Sequence, residues 1–268
     1  MIANARMYSV DAVSAAAWRA LLEWVTNRAG VPCKVIDHPA PLPLEAMWSR
    51  SDLGCAFMCG YPFARTTPQP ILLAAVVPSP ERYHGNPVYW TDFVVRDDSP
   101  LRTIADAFGH RMAYTTEESQ SGYQAPRRFL APYAHVCGGP LFDSLIGPLI
   151  NPGNVVAAVV AGEADVGPVD SYAHDLLRLH APELARQLRT VASTPPTPIP
   201  PLVAAPTIDP GAAQRLRQAL WEVGAADELA SVRNDLLIDG FVGADARSYD
   251  TLGVYAEEAN RLGYPRLA

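Results

Sequence analysis

Residues 118–123 read Glu-Ser-Gln-Ser-Gly-Tyr and stand just ahead of a segment with helical spacing. Ser119 and Ser121 each carry a hydroxyl that both donates and accepts hydrogen bonds. Gly122 has no side chain to hold a bound group away from the main chain, and Tyr123 adds a phenol to the same turn. A helix start presents N–H groups with no intrahelical acceptor and roughly half a positive charge from the aligned peptide dipoles. Two uses follow. Either hydroxyl caps the helix, or hydroxyls and amides together hold a phosphate, phosphonate, sulfate or carboxylate.

Other residue types with chemical potential point elsewhere. Cys33, Cys55, Cys59 and Cys137 include one close pair in an apolar run, but no second pair at zinc-finger spacing follows. Buried free thiols are expected. His174 and His180 lie six positions apart on a predicted helix and share no face, so no metal site is expected there. Glu163 and Asp165 form a carboxylate pair of the kind used in acid–base catalysis, yet they fall at a helix-to-strand joint and read as a turn. Arg127 and Arg128, on the helix after the serines, read as a solvated face. No nucleophile–base pair and no nucleotide-binding loop is visible, and no cofactor is implied.

Composition narrows the partners. Net charge is −7 and Lys34 is the only lysine, with no basic stripe, which argues against nucleic acid. Hydrophobic residues at 49% and charged residues at 18% mark a folded globular chain rather than a disordered one. No run approaches the roughly 20 apolar residues of a membrane helix. The opening "MIANARMYSV" has neither the basic nor the apolar region of a signal peptide.

The elements that must position the serines alternate along the chain. A strand is expected at 5–10, then a helix capped by Asp11 in which Trp18, Leu21, Leu22 and Val25 recur at helical spacing. Strands at 33–38, 53–60 and 71–77 enclose a short helix. This β-α-β-α-β order predicts a parallel sheet with helices on its faces. From "VYWTDFVVRDDSP" onward a second α/β unit begins, and it contains the serine turn. A proline-rich stretch, "ASTPPTPIPPLVAAP", then leads to three helical pieces without strands, too little for a separate domain. The expectation is two lobes joined by two crossings with a cleft between them. Residues 1–90 plus 191–268 form lobe 1, and 91–190 form lobe 2.

The ordered set "DLGCAFMCGYPFA", "VYWTDFVVRDDSPLRTIADAFGHRMAY", "ESQSGYQAPRRF" and "VVAAVVAGEADVGPVDS" resembles the phosphate/phosphonate substrate-binding proteins of ABC transporters over roughly residues 50–205. That resemblance implies an α/β, type II periplasmic-binding-protein fold that closes on a small anionic ligand. It implies that Ser119, Gln120, Ser121 and Gly122 hold the anion's oxygens. Tyr89 matches an aromatic contact on the crossover strand, and Asp170 a strand-end residue facing the cleft. Tyr61 ends a first-lobe strand, where open α/β sheets place ligands, and Tyr8 stands in a similar place. The chain departs from the family pattern at Pro152, where a ligand-binding histidine is expected, and at "HPAPLPL" around Pro39, where some relatives carry a tyrosine. Gln120 also replaces the usual threonine. A phosphonate, a phosphate or a carboxylate-bearing ligand all remain open. So do three roles: transporter component with an ABC permease as partner, cytoplasmic ligand sensor, and biosynthetic enzyme on the same fold. The first implies a periplasmic location after removal of a leader; the others imply the cytoplasm.

Overall fold

The computed structural model describes residues 1–268. Strand β1 (Ile2–Asn4) is shorter and earlier than the strand expected at 5–10. The Asn4 side chain ends it: its Oδ1 accepts the Arg6 N–H at 2.9 Å, and the chain turns into a single 3₁₀ turn, Arg6–Tyr8. Helix α1 (Ala12–Arg28) opens on a reciprocal cap. The Asp11 carboxylate accepts the Ser14 N–H at 2.7 Å, and the Ser14 hydroxyl accepts the Asp11 N–H at 3.0 Å. Trp18, Leu21, Leu22 and Val25 form its buried stripe. Then come β2 (Lys34–Val35), α2 (Leu44–Trp48), β3 (Leu53–Phe57), α3 (Gly60–Arg65) and β4 (Ile71–Pro78). Phe57 centres this core. Trp18 meets its ring edge-on at 4.9 Å, and the Trp48 indole N–H donates to its carbonyl at 2.9 Å.

The chain divides into two units, Met1–Val88 with Pro198–Tyr249 and Tyr89–Thr197 with Asp250–Ala268. It enters the second unit within β5 (Val88–Tyr89). There follow β6 (Thr91–Arg96), β7 (Arg111–Ala113), α4 (Ala125–Cys137), β8 (Ser144–Ile146), α5 (Pro152–Val160), β9 (Gly167–Asp170), α6 (Ser171–His180), α7 (Pro182–Ala185) and β10 (Leu188–Ser193). Strand β6 is central, with β10 and β9 antiparallel on either side; β7 pairs in parallel with β8. The two-residue period of β6 divides the core. Phe93 and Val95 pack with Leu130 and Ala131 of α4, while Val94 packs with Val155 and Val159 of α5.

The chain returns to the first unit within β11 (Thr197–Pro198), and the proline-rich stretch proves to carry strands. Strand β12 (Pro201–Ala204) inserts between β3 and β4, antiparallel to both. Pro201 opens the strand, a position that tolerates a missing N–H. After α8 (Pro210–Glu222) and α9 (Ala230–Leu236), β13 (Ile238–Val242) adds an antiparallel edge beside β4. The sheet order is β13-β4-β12-β3-β1-β2. The expected parallel direction therefore holds for β1 to β4, but β12 separates β3 from β4 and runs against both; the proline-rich stretch supplies β12, and the stretch read as three helices without strands supplies β13.

The lobe boundaries also need correction. Residues 191–197 belong with the second unit because β10 pairs with β6. The last helix, α10 (Asp250–Arg261), and the tail to Ala268 were expected in lobe 1 but belong to the second unit as well. Their apolar side chains explain the placement: Ala259, Tyr264 and Leu267 fill the same core as Tyr123, Leu130 and Ala131. The chain thus passes between units at 88/89, 197/198 and 249/250, against the two crossings expected.

Candidate functional site

In the second unit, Ser119 caps the helix start in extended backbone, and its Oγ accepts the Gly122 N–H at 3.0 Å. The next turn is wider than an α-turn. Gln124 donates its N–H to the Ser119 carbonyl at 2.9 Å, and Ala125 to the Gln120 carbonyl, both five residues back. Such π-turns often mark functional positions. The regular helix α4 begins only after them, with Pro126 where no N–H is required. Gly122 is mandatory on steric grounds. A Cβ there would lie 1.9 Å from the Thr115 Oγ1, so only glycine lets the turn lie against Thr115.

Ser121 joins this turn to the rest of the unit. Its carbonyl accepts the Thr91 hydroxyl at 2.7 Å, and its own hydroxyl reaches Asp170 Oδ2 at 3.5 Å, the outer limit for a hydrogen bond. Asp170 ends β9 and caps α6, with Oδ1 accepting the N–H groups of Tyr172 and Ala173 at 2.9 and 3.0 Å. The starts of α4 and α6 are therefore linked by one serine and one carboxylate, with Thr91 of β6 beneath them. Both starts contribute positive dipole ends. The Asp170 carboxylate offsets part of that charge and offers an acceptor to any ligand that carries a proton.

The structure brings Ser119, Gln120, Ser121, Gly122, Tyr123 and Asp170 together. Tyr123 is packed rather than open: it is 4% exposed, its ring meets Tyr114 edge-on, and its hydroxyl accepts the Leu267 N–H at 3.3 Å. Burial pushes this phenol's pKa up, so it stays neutral. Tyr89 is buried at the end of β5. Tyr8 and Tyr61 belong to the first unit. The Tyr8 ring stands edge-on to Phe57 at 5.0 Å. Tyr61 opens α3; its hydroxyl accepts from the Arg65 guanidinium, which also lies over its ring.

Several side chains differ from their expected surroundings. Arg127 is 3% exposed, not solvated: it donates to Gln124 Oε1, Asn260 Oδ1 and the carbonyls of Ala256 and Tyr264. Cys55 and Cys59 are buried as expected, but Cys33 is half-buried and Cys137 exposed. Asp165 accepts a two-pronged hydrogen bond from Arg111 at 2.9 and 3.0 Å, which holds its pKa below the ordinary carboxylate range. A buried constellation escaped the sequence altogether. The Asp92 carboxylate meets His174 Nδ1 at 2.9 Å, the Trp90 indole N–H at 3.0 Å and the Ser193 hydroxyl at 2.7 Å. Asp92 and His174 lie 82 residues apart in sequence, so no local spacing announces the pair. No cluster of three metal-ligating side chains occurs, and no helix is long and apolar enough to cross a membrane.

The whole chain is similar to solved binding proteins of known fold. A binding-protein component of an ABC phosphonate transporter from Pseudomonas aeruginosa superposes with a TM-score of 0.81 at 20% identity, over 98% of this chain and 87% of that one. PhnD1 from Prochlorococcus marinus in complex with methylphosphonate gives 0.79 at 16% identity, over 97% and 98%. The alkanesulfonate-binding protein SsuA from Xanthomonas axonopodis pv. citri bound to MOPS gives 0.59 at 19% identity, over 98% and 92%. These likenesses fix the fold as the type II periplasmic-binding-protein fold. No curated protein sequence matches the chain. The family described as "ABC transporter, phosphonate, periplasmic substrate-binding protein" matches residues 8–249, spanning the first unit's core and the Ser119–Gly122 turn alike. The chain belongs to that family of phosphonate-type substrate-binding proteins of ABC transporters.

Proposed function

We propose that this substrate-binding component takes its ligand's anionic group at the turn Ser119–Gly122. The carrying observation is the junction of two helix starts through Ser121 and Asp170, with Ser119 and Gly122 shaping the approach. Hydroxyls and two positive dipole ends suit an oxyanion. Asp170 refines the class. A carboxylate beside an anion is tolerated when a proton lies between them, so a singly protonated phosphonate or phosphate, or a ligand with a donor group next to its acid, fits better than a fully ionised sulfonate. Pro152 opens α5 and supplies no imidazole to the ligand.

The role is capture without catalysis. The carboxylates that stood as acid–base candidates have structural surroundings: Asp165 is engaged by Arg111, and Glu163 sits in the turn after α5. In this reading the partner is an ABC permease and the place of work is the periplasm; the family's description as a periplasmic substrate-binding protein of an ABC transporter supports both. The test is a thermal-shift panel of methylphosphonate, phosphate, phosphite, methanesulfonate and small carboxylates, followed by calorimetry on Ser119→Ala/Ser121→Ala. Loss of two hydrogen bonds to a charged group, about 1.5–3 kcal/mol each, is expected to weaken binding at least about a hundredfold. An unchanged dissociation constant refutes the site.

A further inference from the structure

Arg127 lies on α4, in the turns that follow the serine turn, yet none of the contacts described for it is with the serines. Its guanidinium reaches two ways. Toward the helix start, Nε and Nη2 both donate to Gln124 Oε1, at 3.1 and 2.9 Å. Away from it, Nη1 and Nη2 reach Asn260 Oδ1 at 2.7 Å, the Tyr264 carbonyl at 3.0 Å and the Ala256 carbonyl at 2.8 Å, on α10 and the tail after it. Gln124 carries the connection onward. Its side-chain N–H donates to the Glu117 carbonyl at 2.7 Å, and its main-chain N–H to the Ser119 carbonyl at 2.9 Å. One glutamine thus spans the turn from 117 to 124, and one arginine locks that glutamine to the helix delivered by the 249/250 crossing.

We infer that Arg127 and Gln124 are positioning residues for anion binding, fixing the serine turn to α10. The inference rests on the turn being the ligand site. The geometry demands both residue types. The Arg127 guanidinium serves four oxygen acceptors at once; a lysine ammonium has three donors at a single point and cannot reproduce that fork. Gln124 must accept from Arg127 and donate to Glu117 simultaneously, which glutamate cannot do. The wide π-turn lacks the regular i−4 bonds that stiffen an α-helix start, so its shape depends on such outside braces. Gln120 of the same turn lines a groove of about 480 Å³ with Arg128 and with Tyr255 and Glu258 of α10, which places α10 beside the turn independently.

The test uses the full chain with Arg127→Lys and Gln124→Glu, in two measurements. The first is amide hydrogen exchange without ligand. Both variants are expected to speed exchange across residues 117–124 at least about tenfold, while β6 and β9 keep wild-type protection. The second is calorimetric titration with methylphosphonate, or with whichever anion of the panel binds wild type. Both variants are expected to bind about tenfold or more weakly, as when residues supporting a ligand group are removed. Unchanged exchange over 117–124 in both variants overturns the brace. Faster exchange with unchanged affinity overturns its role in binding. If wild type binds no anion, the site reading falls, while the exchange result still decides the brace. Gln124→Glu preserves the contact with Arg127, so it stands as the decisive variant if Arg127→Lys fails to fold.

Discussion

Gly122 shows how much one absent side chain decides. The sequence marks it only as small and suited to close ligand approach, whereas in the structure its Cα is pressed against Thr115. Gly122→Ala is expected to destabilise the protein by about 2 kcal/mol or more and to weaken anion binding, because the new Cβ would stand 1.9 Å from the Thr115 Oγ1 and 2.9 Å from its Cβ. Thr115→Gly in the same chain is expected to restore part of the stability; denaturant unfolding of the single and double variants checks both. Asp165 offers a pH test. Its pKa is depressed by the hydrogen bonds from Arg111, so its contribution is present above the unfolded value, about 3.9, and is lost as pH falls through the lower folded value. The pair is partly exposed, so Asp165→Asn is expected to cost at most about 1 kcal/mol at neutral pH, and the gap to wild type should close as pH falls below the ordinary carboxylate range. A gap that persists in acid assigns the effect to packing. At this scale the serine turn was legible because its cap and its glycine are local. Arg127, Asp92 and His174 were not, because what buries them arrives from distant segments.

Among the elements, legibility followed locality in the same way. Helix α1 could be drawn from its stripe and its Asp11 cap, and Asp11→Ala is expected to lower stability by about 1 kcal/mol, read from the shift in urea midpoint. The strands β10, β12 and β13 were missed. Proline density in the 192–206 stretch disguised β12, whose one proline, Pro201, opens the strand, and β13 is five residues with a glycine at its middle. The strand expected at 5–10 failed for a local reason that the residues do contain, since an asparagine two positions ahead of Arg6 can accept its N–H and turn the chain. The parallel direction of β1 to β4 was legible, but alternation of strand and helix says nothing about an antiparallel strand that returns from later in the sequence to separate β3 from β4.

For the whole molecule, the fold class and the presence of two units followed from the order of motifs, but the final helix was placed in the wrong unit. Helix α10 shows only an amphipathic face, and such a face does not say which core it completes. Ending the chain after Tyr249 is expected to lower the melting of the second unit selectively, since Ala259, Tyr264 and Leu267 leave its core and Arg127 loses its partners on α10 and the tail. Hydrogen exchange resolved by segment should show β6 and β9 opening while β3 and β4 stay protected; uniform protection in the shortened chain would refute that assignment.

The third passage between units bears on how the protein is made. A ribosome delivering residues in order releases β1 to β4 long before β12 and β13 can fill and flank their sheet, and the neighbouring unit waits for its last helix until 250–268 emerge. Neither half is complete in the nascent chain until residues 238–268 have emerged. A translation product stalled before them would expose two unfinished hydrophobic interiors at once.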